Sequence, residues 1–320
     1  MVLQSRNTAI LAALASAALY GISAPSAKLL LIEIPPALMA SLLYLGAGIG
    51  MLILNIFKKK SNDNRSEVRL SRQDLPFIIG MIALDIAAPI LLMIALNLTT
   101  SANASLLNNF EIVTTALIAL LFFKEAISRR MWLSIALITV ASIILSFDNI
   151  ESFSFSIGSV FVIGACLCWG LENNCTRMLA VKDPMQIVVV KGFGSGIGSM
   201  IIVIALGQKS DNILFMLLAL ALGFVAYGLS IYLYVKAQRE LGAARTSTYY
   251  AIAPFVGVLL SLIIYSQQFT LLFVAALLIM LAGSFLAASE KHKHLHRHDN
   301  LVHEHLHNHL ESQHNHKHEQ

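Results

Sequence analysis

Hydrophobic residues along this chain fall into long, nearly uncharged runs that are separated by short polar segments. A helix needs about 20 predominantly apolar residues to cross the hydrocarbon core of a bilayer. Ten runs meet this description: 8–30, 35–57, 75–96, 101–123, 131–147, 156–180, 184–207, 213–235, 245–265 and 270–289. The pattern therefore predicts an all-α membrane protein with ten transmembrane helices.

Helices explain these runs better than the strands of a β-barrel, because a backbone inside lipid must satisfy its own hydrogen bonds. A transmembrane barrel would show segments of about ten residues in which apolar and polar residues alternate. The run 116–123 contains no such alternation. The connections are short, and several contain a proline, as at Pro35, Pro76 and Pro184.

Lysine and arginine collect in alternate loops, which sets the expected orientation. The basic loops follow the second, fourth and eighth runs and contain Lys58, Lys59, Lys60, Arg65, Arg69, Arg72, Lys124, Arg129, Arg130, Lys236, Arg239 and Arg245. Basic residues are enriched on the cytoplasmic side of membrane proteins. We therefore expect a multi-pass protein of the cell (plasma) membrane with its N- and C-termini in the cytoplasm.

The composition agrees with a membrane protein, since 57% of the residues are hydrophobic and 12% are charged, against about 25% charged in soluble domains. This excludes a typical soluble enzyme, a nucleic-acid-binding domain and a disordered protein. The apolar body contains no histidine, which removes histidine-based catalysis and histidine-ligated zinc there. Cys166, Cys168 and Cys175 share one apolar run, where we expect small apolar residues rather than disulfides or metal ligands.

The two halves of the body carry similar residues in the same order. An aromatic residue, a glycine and a basic residue recur at an offset of 149, as Tyr20, Gly21 and Lys28 and again as Trp169, Gly170 and Arg177. A second match at an offset of 142 aligns Ala95, Ala102, Ser105, Leu117 and Glu125 with Ala237, Ala244, Ser247, Leu259 and Gln267.

This repetition predicts two five-helix units, 1–147 and 148–289, followed by a tail, 290–320. Because five is an odd number, the two units must lie in the membrane with opposite orientations. Inverted repeats are typical of transporters, which place a site at the repeat interface near the middle of the bilayer.

These features resemble the drug/metabolite transporter (DMT) superfamily, in its EamA-type branch with ten helices, over about residues 8–289. The resemblance implies two inverted repeats and secondary active or facilitated transport of small metabolites, often outward. The chain departs from the family pattern in two places. Glu111 and Ile112 stand where the family has a proline, which appears as Pro254 in the second half, and Gln267 replaces the closing acid found at Glu125.

Four ionisable residues lie inside the predicted spans: Asp85, Glu111, Glu172 and Lys191. Such residues are costly in a membrane and indicate function by default. A carboxyl group that is buried away from water holds its proton more tightly, which suits proton-coupled transport. The alternative is that the charges simply pair, with Lys191 neutralising an acid. For Glu111 we favour a role in binding substrate or protons, because two amides precede it.

Polar residues extend this candidate site. On a regular helix Ser105, Asn109 and Ile112 would share one face, and Asn108 and Glu111 the adjacent face. The mixture suits a polar organic solute, although serine, threonine and asparagine also bond helices to each other. Tyr20 and Trp169 are either interfacial anchors or cavity walls. The predicted substrate or proton path comprises Tyr20, Asp85, Asn108, Asn109, Glu111, Trp169, Glu172, Lys191, Tyr249 and Tyr250.

Gly194 and Gly198 form a small-xxx-small pair in the seventh run. Close helix packing is the favoured explanation, and a moving, gating helix is the alternative.

The tail 290–320 is expected to be disordered, and it contains all eleven histidines. Imidazole binds zinc, nickel, copper and cobalt, so weak metal sites are expected at His292, His294, His296, His298, His303, His305, His307 and His309. The tail either buffers or senses metal, or is a solvated segment, or delivers metal to the body. No cofactor is expected to be required.

The sequence thus predicts a membrane transporter, without enzyme activity, that exports small organic metabolites or drug-like compounds. A divalent-metal efflux protein fed or regulated by the tail is the alternative, and a membrane scaffold or sensor is a third reading that the buried acids disfavour. The expected partners are a small-molecule substrate and the lipid bilayer, without nucleic acid, and the sequence leaves a homodimer open.

Overall fold

The structure is a computed structural model, and it describes residues 2–59, 70–124, 127–149, 154–179, 182–241, 246, 249–266, 270–288, 293–298 and 301–306. Within these residues the body is helical. The helices are α1 (Val2–Gly21), α2 (Ser23–Leu30), α3 (Pro36–Lys59), α4 (Leu75–Leu98), α5 (Ser101–Leu107), α6 (Phe110–Phe123), α7 (Arg129–Ser146), α8 (Ile157–Met178), α9 (Pro184–Ala205), α10 (Ile213–Gly223), α11 (Ser230–Leu241), α12 (Ala253–Tyr265) and α13 (Leu271–Ala288). A π-helical turn, Phe224–Leu229, joins α10 to α11.

The prediction of a multi-pass membrane protein is confirmed. Eight helical stretches of the described chain are long and apolar enough to cross a bilayer: Asn7–Leu30, Pro36–Phe57, Arg72–Leu98, Ser101–Phe122, Arg129–Ser146, Pro184–Ala205, Ile213–Ala237 and Leu271–Ala288. The apolar helix Ala253–Tyr265 is shorter. Helix α8 is long enough, but Glu172, Asn173 and Asn174 lower its hydropathy. The count of ten spans therefore stays a prediction.

Several spans are interrupted, and the sequence explains each interruption locally. A single residue, Ile22, separates α1 from α2, and Pro25 in the first turn of α2 has no N–H to continue the helix. Pro254 has the same effect near the start of α12. Between α5 and α6 the Nδ2 of Asn109 donates to the carbonyl of Leu106 at 3.1 Å, so a side chain competes with the helical backbone.

Glycines allow close packing of α9 between α3 and α4. A Cβ on Gly192 would collide with the backbone of Gly48 on α3. Gly194 and Gly198 lie on the other side, where a Cβ would collide with isoleucine side chains of α4. The Oγ of Ser41 on α3 also donates to a backbone carbonyl of α9 at 2.8 Å. The glycine pair of the seventh run therefore serves helix packing.

Further helix contacts surround this central group. Helix α4 lies along α8, α11 lies along α1, α6 contacts α8, α12 contacts α1 and α5, and α7 packs against α13. The main apolar core extends through these contacts.

Two short antiparallel strand pairs accompany the helices. Phe147–Asn149 pairs with Ser154–Phe155 beside the start of α8. In the tail, Lys293–His298 pairs with Leu301–Leu306. The sequence of these segments repeats every second residue, which matches the period of a strand. The disorder expected of the tail 290–320 stays a prediction. The rest of the tail lies outside the described residues.

Candidate functional site

Three of the four charged residues meet at the junction of α4, α8 and α9. The Nζ of Lys191 lies 3.0 Å from Oδ2 of Asp85 and 2.9 Å from Oε1 of Glu172. All three residues are buried, and Asp85 is 0% exposed. For these three residues the structure shows the alternative in which the charges simply pair with one another. We call them the charge triad.

Neutral hydrogen-bond donors complete the charge triad. The hydroxyl of Tyr44 on α3 donates to Oδ1 of Asp85 at 2.8 Å. The hydroxyl of Thr176 donates to Oε1 of Glu172. Buried ionic groups are tolerated when they are paired and hydrogen-bonded, and removing one partner is costly. The triad therefore ties α3, α4, α8 and α9 together.

Glu111 stands beside the charge triad with a neutral partner. Its Oε1 accepts a hydrogen bond from Nδ2 of Asn173 at 2.6 Å, and the same Nδ2 contacts Oγ1 of Thr115 at 3.2 Å. Within the described part of the chain, no lysine or arginine lies within ion-pair distance of Glu111. It lies in the first turn of α6, where the helix dipole favours a negative charge.

The interior around these groups holds more acids than bases. Asn173 follows Glu172 on α8, and Glu111 is within electrostatic reach of both Glu172 and Lys191. One ammonium faces three carboxyl groups, so the cluster carries an excess negative charge when all of them are ionised. Binding a proton or a cation would reduce that excess.

A tyrosine cluster adjoins the charged groups. The ring centroids of Tyr44 and Tyr227 lie 5.4 Å apart, those of Tyr20 and Tyr227 5.9 Å, and those of Tyr20 and Tyr250 5.8 Å. Tyr227 also accepts a hydrogen bond from Ser23 Oγ at 3.1 Å. Tyr44 belongs to this cluster and also donates to Asp85 of the charge triad, and so connects the two groups. Tyr44 and Tyr227 were not among the predicted site residues, although a phenol inside an apolar run is a visible signal.

A narrow cleft opens where the interrupted spans meet. It has a volume of about 10 Å³ and is lined by Tyr20, Gly21, Ser23, Ala24, Ser105, Asn108, Ala253 and Pro254. Two of these lining residues, Ser105 and Asn108, each have a buried side-chain oxygen, Oγ and Oδ1, without a hydrogen-bond partner among the described residues. Tyr20 was expected to be either an interfacial anchor or a cavity wall, and in the structure it lines this cleft.

The predicted grouping of Ser105 with Asn109 on one face is wrong. Ser105 shares the cleft with Asn108, while Oδ1 of Asn109 accepts a hydrogen bond from Ser284 Oγ on α13 at 3.1 Å. The interruption between α5 and α6 changes the regular helical spacing on which the prediction relied. Asn109 therefore bonds two spans together.

Two other predicted site residues lie away from the cleft. Trp169 is 5% exposed and packs in the main core, so it is not an interfacial anchor. Tyr249 packs against a small cluster that contains Ala13 and Ala237. The structure thus brings Tyr250, but not its neighbour, to the tyrosine cluster.

Lys28 has a role that the sequence did not indicate. Its Nζ donates to the carbonyls of Leu96 and Thr99 at the end of α4. Cations at a helix C-terminus satisfy carbonyls that have no partner within the helix. Lys28 therefore connects the end of the first span to the end of the third.

The described residues contain no group of three or more histidine, cysteine, aspartate or glutamate side chains placed to hold a metal ion. Of the predicted tail ligands, His292, His307 and His309 lie outside the described residues. Metal binding by the tail stays a prediction.

Comparison with known proteins assigns this sequence to a family. The sequence matches the EamA-like transporter family over residues 7–147 and again over 156–289. An uncharacterized transporter of Methanothermobacter thermautotrophicus is 27% identical over 286 residues, which cover 83% of this chain and 82% of the relative. The uncharacterized transporter YyaM of Bacillus subtilis is 25% identical over 224 residues, or 66% of this chain and 71% of the relative.

A solved crystal structure has the same fold, with a TM-score of 0.62 at 15% identity, and covers 88% of this chain and 97% of its own. At that identity the likeness concerns the fold alone. The family matches extend over most of the chain and point to a transporter rather than an enzyme. The chain therefore belongs to the EamA-like transporter family and is a multi-pass membrane transporter.

Proposed function

We propose that the protein is a secondary active exporter of small organic metabolites or drug-like compounds, and that it couples their movement to protons through Glu111. One observation carries this proposal. Three of the buried charges pair with one another, whereas Glu111 has only a neutral side-chain donor, Asn173, within the described residues. A carboxyl group in that position can exchange a proton without breaking an ion pair.

The proposed architecture is ten spans arranged as two inverted repeats, 1–147 and 148–289. Contacts that recur between the halves support it. Gly21 on α1 packs against Val256 on α12, and Gly170 on α8 packs against Thr114 on α6. The glycines differ by 149 positions and their partners by 142, which are the two offsets of the sequence repeat. Likewise, α4 contacts α8 as α11 contacts α1.

The proposed orientation places both termini and the histidine-rich tail in the cytoplasm of a cell with this protein in its plasma membrane. The support is the concentration of basic residues in the loops after the second, fourth and eighth runs. In this orientation the interrupted spans bring the cleft and Glu111 to the membrane interior, where repeat-built transporters bind their substrates.

In the proposed cycle Glu111 holds either a proton or the substrate. When Glu111 is ionised, its charge adds to that of Glu172, so a proton or a substrate that neutralises it stabilises the interior. Exchange of one for the other at the two membrane faces gives coupled transport. The charge triad has a structural role in this cycle, since Lys191 already satisfies Asp85 and Glu172.

The test uses the full chain in proteoliposomes that enclose a pH-sensitive dye. Outward gradients of amino acids, nucleosides, organic acids and amines are imposed one at a time. At least one solute is expected to change the internal pH, and an imposed pH gradient is expected to drive that solute uphill. Solute movement that ignores the pH gradient would show that protons are not the coupling ion.

A further inference from the structure

We infer that the cleft between the interrupted spans binds the protonated primary amine of the transported solute, which makes amines the substrate class. This inference rests on the proposed transport function. The cleft is the space lined by Tyr20, Gly21, Ser23, Ala24, Ser105, Asn108, Ala253 and Pro254.

Two residues that line the cleft have buried side-chain oxygens that can accept a hydrogen bond and have no partner in the described chain. Ser105 is 3% exposed and Asn108 is 9% exposed. Within the described chain, neither Oγ of Ser105 nor Oδ1 of Asn108 has a partner. Buried polar atoms are almost always hydrogen-bonded in folded proteins. An amide oxygen can only accept, so the ligand group that satisfies Asn108 must carry an N–H or an O–H.

The cleft has few free backbone N–H groups that could bind an anionic ligand. Helix α12 begins at the cleft, and a helix start commonly binds anions through its first N–H groups. Here the N–H groups of Phe255 and Val256 already donate to the carbonyl of Ile252 at 3.1 Å. Pro254 has no N–H. The backbone of residues 254–256 at the start of α12 therefore has no free N–H group with which to bind an anion.

The surrounding charge favours a cation. Glu111 lies one helical turn beyond Asn108 on the same span, and it is within electrostatic reach of Tyr20 and Tyr250. Tyrosine rings attract cations through their faces. Tyr20 lines the cleft itself. An ammonium group there would combine aromatic contacts, neutral acceptors and a nearby carboxylate.

The size of the cleft selects among cations. Its volume of about 10 Å³ is close to the space that one water molecule needs. A primary ammonium group is about as large as a water molecule, whereas a trimethylammonium group is much larger. The site should therefore prefer primary amines to quaternary ones.

The experiment measures thermal unfolding of the purified full-length protein in nanodiscs at neutral pH with three probes of one chain length: butylammonium, butyltrimethylammonium and butyrate. A ligand at free concentration c that binds the native state raises its stability by RT ln(1 + c/Kd), so the unfolding temperature keeps rising with ligand concentration above Kd. Butylammonium is expected to raise the unfolding temperature with the logarithmic dependence on concentration that specific binding produces, and the other two probes are expected to have little effect.

Variants then locate the binding site. Asn108→Leu and Ser105→Ala each remove an acceptor, and each should weaken butylammonium binding by about tenfold or more, since hydrogen bonds to charged groups are among the stronger ones. Ser142→Ala is the matched control, because Ser142 Oγ is also buried without a partner in the described chain but lies on α7, away from the cleft. Ser105→Ala keeps the test decisive if Asn108→Leu does not fold.

The outcomes separate this inference from the proposed function. Equal binding of butyrate, absence of butylammonium binding, or unchanged binding in both cleft variants would overturn the assignment of the cleft, even if another solute drives proton flux. Selective butylammonium binding that the cleft variants weaken would support it, even if no solute drives proton flux and the proposed coupling fails.

Discussion

Glu111 on α6 accepts a hydrogen bond of 2.6 Å from Asn173 on α8, next to a glutamate that is bound instead to a lysine. Two consecutive positions of α8, Glu172 and Asn173, thus serve different purposes. Glu172 is fixed in an ion pair with Lys191, while Asn173 holds a carboxyl group by a single neutral contact. Under the proposed function, Glu172 is the structural charge and Glu111 the exchangeable one.

Removing Lys191 should destabilise the protein strongly. Lys191→Met leaves Asp85 and Glu172 buried without their shared cation, and breaking a buried ion pair costs about 3–5 kcal/mol. Thermal unfolding in detergent measures the loss. Lys209→Met, in an exposed loop, is the control and should unfold like the wild type.

A triple variant tests whether charge imbalance causes that loss. Lys191→Met combined with Asp85→Asn and Glu172→Gln removes all three charges, and neutral replacements of buried ion pairs are often tolerated. Its unfolding temperature should lie above that of Lys191→Met alone. A triple variant less stable than the single one would show that the triad contributes by shape rather than by charge balance.

Close packing of α3 and α9 should make Gly192 intolerant of any side chain. Gly192→Ala places a Cβ against the backbone of Gly48, and overpacking costs about 1–3 kcal/mol. The matched control is Gly164→Ala on α8, where the new Cβ meets only Leu91 at 3.5 Å. Since alanine favours helices, the control should unfold at or above the wild-type temperature. Equal stability of both variants would contradict the packing account.

The histidine-rich tail should be dispensable for folding and necessary for metal binding by the isolated protein. A chain that ends at Ser289 loses all eleven histidines. We expect normal insertion into the membrane, and loss of retention on immobilised nickel by an otherwise untagged protein. Failure of the short chain to reach the membrane would contradict this separation of tail and body.

The sequence predicted the spans well and their partners poorly, for a physical reason. Hydrophobic runs mark helices because lipid demands apolar side chains over a fixed length. Apolar periodicity does not say which helices are neighbours, so the contact between Tyr44 and Asp85, 41 positions apart, had no signal. The interruption at Asn108 and Asn109 was not predicted, because asparagine lowers helix propensity only modestly and the competing bond from Asn109 to Leu106 is seen only in the structure.

The offset between the two halves indicates site residues that neither half indicates alone. Asp85 and Tyr227 differ by 142 positions, which is the second offset of the repeat. In the structure Tyr44 contacts both of them, one by a hydrogen bond and the other ring to ring. Aligning the halves residue by residue would have identified Tyr227 as a candidate site residue.

Proton coupling at Glu111 is tested most directly by proton flux through Glu111→Gln. The full-length variant, the wild type and a control, Glu33→Gln in an exposed loop, are reconstituted with a pH-sensitive dye inside the vesicles. Each receives the solute gradients that move protons through the wild type. We expect Glu33→Gln to behave as the wild type, and Glu111→Gln to fold but to move no protons. Solute-driven proton flux at the wild-type rate through Glu111→Gln would contradict proton coupling at Glu111.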